Sequence, residues 1–148
     1  MEYRTKALCT LLACLQAVRL QHQNGHWVAK GCSSYSDHEM LQRLYEDMDE
    51  EIDVLGERII GLCDHDPMVD HMLDKACKFV RKWSTRLECP IERSLMAEKF
   101  LLQVLESLAN HIDRHGQMTM GLSDLLEEIA SLHEEHCYLL KQRLKPCH

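Results

Sequence analysis

Leu41-Gln42-Arg43-Leu44-Tyr45-Glu46-Asp47-Met48-Asp49-Glu50-Glu51-Ile52-Asp53-Val54-Leu55-Gly56-Glu57-Arg58-Ile59 reads as a single long amphipathic helix. Leu41, Leu44, Met48, Ile52, Leu55 and Ile59 recur every three or four residues, the period of a helix and not of a strand. Ser36 or Asp37 can cap this helix, which runs to about Leu62 before Asp64-His65-Asp66-Pro67 ends it. Upstream, Leu8, Leu11, Leu12, Leu15, Val18, His22 and His26 mark a first helix from about Tyr3 to Lys30, broken by Gly31-Cys32-Ser33-Ser34-Tyr35-Ser36. Downstream come a shorter helix, roughly Met68 to Trp83, and a connector over Ser84 to Pro90. A third long helix spans about Ile91 to Arg114, stopped by Gly116, and a fourth about Gly121 to Leu144, with Pro146 just beyond.

Four long helices and one short crossover piece predict an all-α, ferritin-like four-helix bundle with a short extra helix between helices 2 and 3. The crossover is long enough for helix 3 to run parallel to helix 2, which a simple up-down bundle does not allow. The 148 residues form one domain, 1–148. Only 6 Gly and 3 Pro are present, too few turn formers for a sheet-rich chain of this length.

Net charge is −7, which gives no reason to expect a basic nucleic-acid face. Near the N-terminus only Arg4 and Lys6 could act as a basic tail, so weak or no DNA binding is expected. Nothing reaches 18 consecutive apolar residues, and no membrane span is expected. The start superficially resembles a signal peptide, but its pattern continues amphipathically through Arg19 and His22, so it reads as a mature helix. The 8 cysteines include no Cys-x-x-Cys pair and read as reduced thiols of a cytoplasmic core.

Chemistry concentrates on the first two helices. The first has no Asp or Glu from Tyr3 onward, yet carries His22 and His26 one turn apart. On the second, His38, Gln42, Asp49, Asp53 and Glu57 follow one stripe at steps of four, seven, four and four. Imidazole with carboxylate suits iron, zinc and manganese. A hairpin over residues 31–36 sets His26 close to His38. Asp53, 15 residues beyond His38, lies roughly 22 Å farther along the helix. One ion cannot touch both from the same chain. A twofold axis near Asp47 would bring each histidine pair against the acid pair of a second subunit and make two identical sites.

That arrangement resembles the Dps mini-ferritins. The resemblance rests on His26-Trp27-Val28-Ala29-Lys30-Gly31, on His38 after eleven intervening residues, on Asp53 after fourteen more, and on Glu57-Arg58 after three. Gly56 stands where the family has Ala. Leu125-Leu126-Glu127-Glu128-Ile129 with His133-Glu134-Glu135-His136 also reads like the family's last helix. The match is good over 20–60 and moderate over 120–144.

The resemblance implies a ferroxidase and iron-storage function against oxidative stress, with His26, His38, Asp53 and Glu57 as metal ligands in a homo-oligomer, a dodecamer of twofold dimers. Fe(II) would be held by Glu57 and a histidine, with Asp53 bridging to a second ion, and hydrogen peroxide or oxygen would take the electrons. The site could be di-iron or mono-iron, and Zn or Mn could substitute. Trp27 would pack beside it, in the core or at an interface. One departure stands out: the family's Asp one turn after the second histidine is Gln42 here, a weaker ligand. One firm and one altered metal position are therefore expected, with His22 as the nearest spare ligand.

Other histidines read more plainly. His22 is expected to be partly buried with a hydrogen bond. His111 and His115 fit a solvated face, and Asp64-His65-Asp66 fits a helix-ending loop. His133 and His136 could imitate a Glu-x-x-His element, but residue 130 is Ala and residue 133 is His. A bundle-centred di-iron oxidase, which wants a Glu on two helices and Glu-x-x-His on the other two, is therefore disfavoured. A non-enzymatic ferritin-like assembly with a degenerate metal site is the remaining alternative. Lys141, Arg143 and Lys145 suit the negative end of the last helix.

Overall fold

The computed structural model describes residues 2–84 and 89–147. Among these residues five helices appear: α1 (Tyr3–Val28), α2 (Ser34–Cys63), α3 (Met72–Ser84), α4 (Pro90–Arg114) and α5 (Met120–Leu144). A 3-10 turn, Pro67–Asp70, precedes α3, so the single short helix expected there is two pieces. No strand occurs among the described residues. Part of the expected connector, residues 85–88, lies outside them.

The absence of acids from α1 has a packing reason. This helix is the centre of the bundle, flanked by α2, α3 and α4. Leu8, Leu11, Leu15, Ala17 and Val18 are buried with Met48, Leu55 and Ile59 of α2 and Leu101 and Ile112 of α4. Each such side chain contributes about 1.5–3 kcal/mol by leaving water. On the far side, Phe79 and Trp83 of α3 pack with Phe100 of α4 at centroid distances of 5.6 and 5.7 Å. α5 packs along α4, and side chains rather than close backbones bridge it to α2.

Two glycines let the first hairpin close tightly. Gly31 takes φ +89°, a left-handed conformation that suits a residue without Cβ. At Gly25 a Cβ would come within 3.0 Å of Leu41 Cδ1 and 3.4 Å of Pro90 Cβ. The bare backbone thus allows α1, α2 and the start of α4 to approach beside His26.

The cap of α2 differs from expectation. Ser33 occupies the cap position without a side-chain cap bond. Ser36 Oγ donates to the Ser33 carbonyl at 3.1 Å. Asp37, in the first turn, is drawn instead to Arg143, which donates from Nε at 2.6 Å and from a terminal guanidinium nitrogen at 3.0 Å. The core assignment of the cysteines holds for Cys9, Cys14 and Cys137, whereas Cys32, Cys77 and Cys147 are exposed. Among the described residues no helix is long and apolar enough to cross a membrane.

Candidate metal centres

The closed end of the α1–α2 hairpin, beside the turn, joins two of the expected ligands. His26 Nδ1 donates to the His38 carbonyl at 2.8 Å, and His38 Nδ1 donates to the His26 carbonyl at 2.9 Å. The rings stack with centroids 3.6 Å apart and planes 21° apart. A carbonyl only accepts, so each Nδ1 must carry a proton, and in the neutral form of either ring the lone pair falls on Nε2. This is the tautomer a metal requires, set by the hydrogen bond of the other nitrogen. Tyr45 meets His26 edge-on at 5.5 Å and holds Arg19 over its ring at 5.2 Å.

Asp53 and Glu57 sit farther along α2, exposed and one turn apart. No hydrogen bond or ion pair engages either among the described residues. A single chain therefore brings His26 to His38 and leaves the acids about 22 Å away by helix rise. Gln42 donates to Glu46 Oε1 at 2.8 Å, one turn beyond His38. Trp27 is 63% exposed, so its place is not in the core of the chain.

A second constellation lies inside the bundle. Glu98, fully buried on α4, faces three imidazoles. Its Oε1 accepts from His22 Nε2 at 2.6 Å and from His136 Nδ1 at 2.9 Å. Its Oε2 accepts from His133 Nδ1 at 2.5 Å. Farther out, His22 Nδ1 shares a 2.9 Å bond with Ser94 Oγ. His136 Nε2 lies 3.3 Å from Asp47 Oδ2, and His133 Nε2 donates to Glu51. His22 is thus wholly buried, where partial burial was expected.

The electrostatics follow from burial set against pairing. Burial pushes Glu98 up, but His133, His136 and His22 outweigh it and hold the carboxyl well below the usual range. Burial lowers His133, while Glu98 and Glu51 carry it up to about 10, so it is an imidazolium between two carboxylates. For His22 burial prevails over Glu98 and lowers it, which keeps that ring neutral. Burial raises Glu51 against the pull of His133.

Sequence reasoning missed Glu98. The signal was its place on the apolar stripe Ile91, Ser94, Glu98, Leu101 and Leu105, where a buried acid needs partners. His111 and His115 lie on the solvated face expected of them, His115 exposed and His111 half-buried, with ring centroids 5.1 and 3.8 Å from the half-exposed Tyr3.

No protein-family model matches the chain. A "Nutrient stress-induced DNA-binding protein" of a Nostoc species is 30% identical over 140 residues, 92% of this chain and 74% of that protein. The expectation of weak DNA binding finds no support in that relative's name. Among solved structures, Dps from Thermosynechococcus elongatus superposes with a TM-score of 0.81 at 21% identity, covering 97% of this chain and 90% of that one. A DPS protein from Vibrio cholerae, described as a member of a broad superfamily of ferritin-like diiron-carboxylate proteins, gives 0.79 at 22% identity over 96% and 89%.

Proposed function

Because this chain belongs to the Dps family of ferritin-like proteins, we propose that it oxidises Fe(II) at sites shared between subunits and stores the product within a homo-oligomeric shell. The observation that carries this reading is the reciprocal pairing of His26 and His38. In their neutral form the two imidazoles are fixed with their lone pairs on Nε2, and no protein group takes those nitrogens among the described residues. Asp53 and Glu57 are equally free of partners on the same helix. Neither pair makes a full ligand set alone, and a twofold contact centred near Asp47 unites the histidines of one chain with the acids of the other.

In this reading His26 and His38 receive Fe(II), and Glu57 with Asp53 supplies the negative charge that favours the harder Fe(III) product. Two Fe(II) ions give one electron each to hydrogen peroxide, which takes up two protons and leaves as two waters. Oxygen is the alternative acceptor. Gln42 brings a neutral amide where a carboxylate would bind more firmly, so the second iron position is the weaker one. A dodecamer built from such dimers would enclose the mineral. Trp27, exposed on the isolated chain beside His26, would be covered by the partner subunit.

The test is the mass of the assembled protein together with its rate of Fe(II) oxidation by peroxide. A closed oligomer that oxidises iron, and loses the activity in Asp53→Ala and in His38→Ala, supports the reading. A monomer, or activity indifferent to both changes, rejects it.

A further inference from the structure

We propose that His22, Glu98 and His136 form a buried site for a single divalent transition-metal ion, filled through an acid-lined cleft between α2 and α5. This site lies inside each chain and is separate from the one shared across the dyad.

The donor set comes first. His22 Nε2, a Glu98 oxygen and a His136 nitrogen all lie within 4.8 Å of one another, and all three residues are buried. The two rings flank the carboxylate with centroids 6.2 Å apart and planes 76° apart, so they approach one point from different directions. Metal bonds of about 2.0–2.1 Å place tetrahedral donors about 3.3 Å apart. The present gaps of 2.6 and 2.9 Å would open by only about half an ångström to admit an ion. Two imidazoles and one carboxylate suit zinc, cobalt or Fe(II), and hard oxygen-seeking ions such as magnesium much less.

The surrounding groups are arranged as metal-bound histidines require. A ligating imidazole uses its other nitrogen to donate to a carboxylate, a carbonyl or another acceptor. Ser94 Oγ already faces His22 Nδ1, and Asp47 already faces His136 Nε2. On loading, His22 moves its proton from the inner nitrogen to the outer one that faces Ser94, and His136 releases its Nδ1 proton to water while its Nε2–H keeps facing Asp47. The second oxygen of Glu98 stays bonded to His133, which Glu51 holds from outside.

An entry route exists. A cleft of about 470 Å³ opens where α2 and α5 separate, lined by Asp47, Glu50, Glu51, Glu128 and Glu135, with Arg43 the basic member. Asp47 and Glu51 are the same carboxylates that touch His136 and His133. The cleft thus leads a cation along carboxylates to the outer edge of the buried histidines. Arg43 is occupied by Glu135 at 3.0 Å and by Asp47 at 3.7 Å.

The experiment uses the assembled protein carrying His38→Ala and Asp53→Ala, which removes a donor from each half of the dyad site. After chelation it is titrated with Co(II), and the visible ligand-field bands and bound cobalt per chain are measured. One cobalt per chain with strong low-coordination bands is expected, lost in His22→Gln and His136→Gln. Retained cobalt with unchanged bands in those two variants overturns the proposal, as does a protein that binds none. A second measurement needs no change at the cluster. Crystals of the unaltered protein with stoichiometric Zn(II) should give an anomalous peak between His22, Glu98 and His136. Peaks confined to the dyad site or the surface reject the buried site while leaving the dyad reading intact. A peak only in the bundle does the reverse.

Discussion

Asp37 is held by Arg143 in a two-pronged ion pair of 2.6 and 3.0 Å that ties the start of α2 to the end of α5. The Asp37 side chain is only 8% exposed, and His38 is the next residue. The pair therefore fixes the turn from which His38 reaches the His26 carbonyl. Arg143→Ala would leave a buried carboxylate without its partner. Since Arg143 is itself partly exposed, the expected loss of stability is modest, on the order of 1–2 kcal/mol. Thermal unfolding reads it directly. Fe(II) oxidation should fall in the same variant, although Arg143 belongs to neither half of the dyad site. A variant with lowered stability and a wild-type iron rate would separate the pair from the site.

Sharing of the site between chains makes a prediction that no single variant can. A chain with His26→Ala and His38→Ala and a chain with Asp53→Ala and Glu57→Ala should each be inactive alone. Co-refolded in equal amounts, they pair at random across the dyad. A site works only where intact histidines meet intact acids, so about a quarter of the oxidation rate should return. Mixed oligomers as inactive as their parents would mean that the ligands do not meet across a twofold contact.

How much of this was legible from sequence depends on distance along the chain. The long helices follow from apolar period, and their ends fall within a few residues of those observed because Gly31, Gly116 and Pro146 interrupt the pattern. His26 and His38 were legible because a short hairpin joins them. The buried cluster was not, since His22, Glu98 and His136 come from three helices and His22 is 76 residues from Glu98. The acid-free first helix gave no sign of the cluster either, because its interior position facing Glu98 is held by His22. The α2 cap was misassigned because a local rule cannot see Arg143, 106 residues away.

Thiol reactivity should divide the cysteines by burial. Burial raises Cys9 and Cys137 to about 11 and Cys14 to about 12, with nearby acids adding to the effect. Near pH 8 these three should remain thiols, shielded from reagent as well as unreactive. Cys32 and Cys77 are exposed in the isolated chain. Alkylation of the native protein followed by peptide mass spectrometry should find Cys9, Cys14 and Cys137 unmodified until denaturant is added. Rapid native labelling of Cys14, the most enclosed of them, would contradict the packing of α1 at the bundle centre.

Glu98 should matter for stability even without metal. Three imidazoles direct N–H groups at its two oxygens, and His133 is cationic between Glu98 and Glu51. Glu98→Ala removes the shared acceptor and strands a buried positive charge with one partner in place of two. Breaking a buried pair from one side typically costs about 3–5 kcal/mol. Glu98→Gln keeps the volume and one acceptor oxygen and should lose less. The cause can be isolated with His133→Leu, which takes away the cation along with its need for a counter-charge. In that background Glu98→Ala should cost at least about 1 kcal/mol less than in the wild type. Denaturant unfolding of the four metal-free proteins measures this coupling. Strict additivity would mean that the carboxylate and His133 do not depend on each other, and that the buried network contributes nothing as a network.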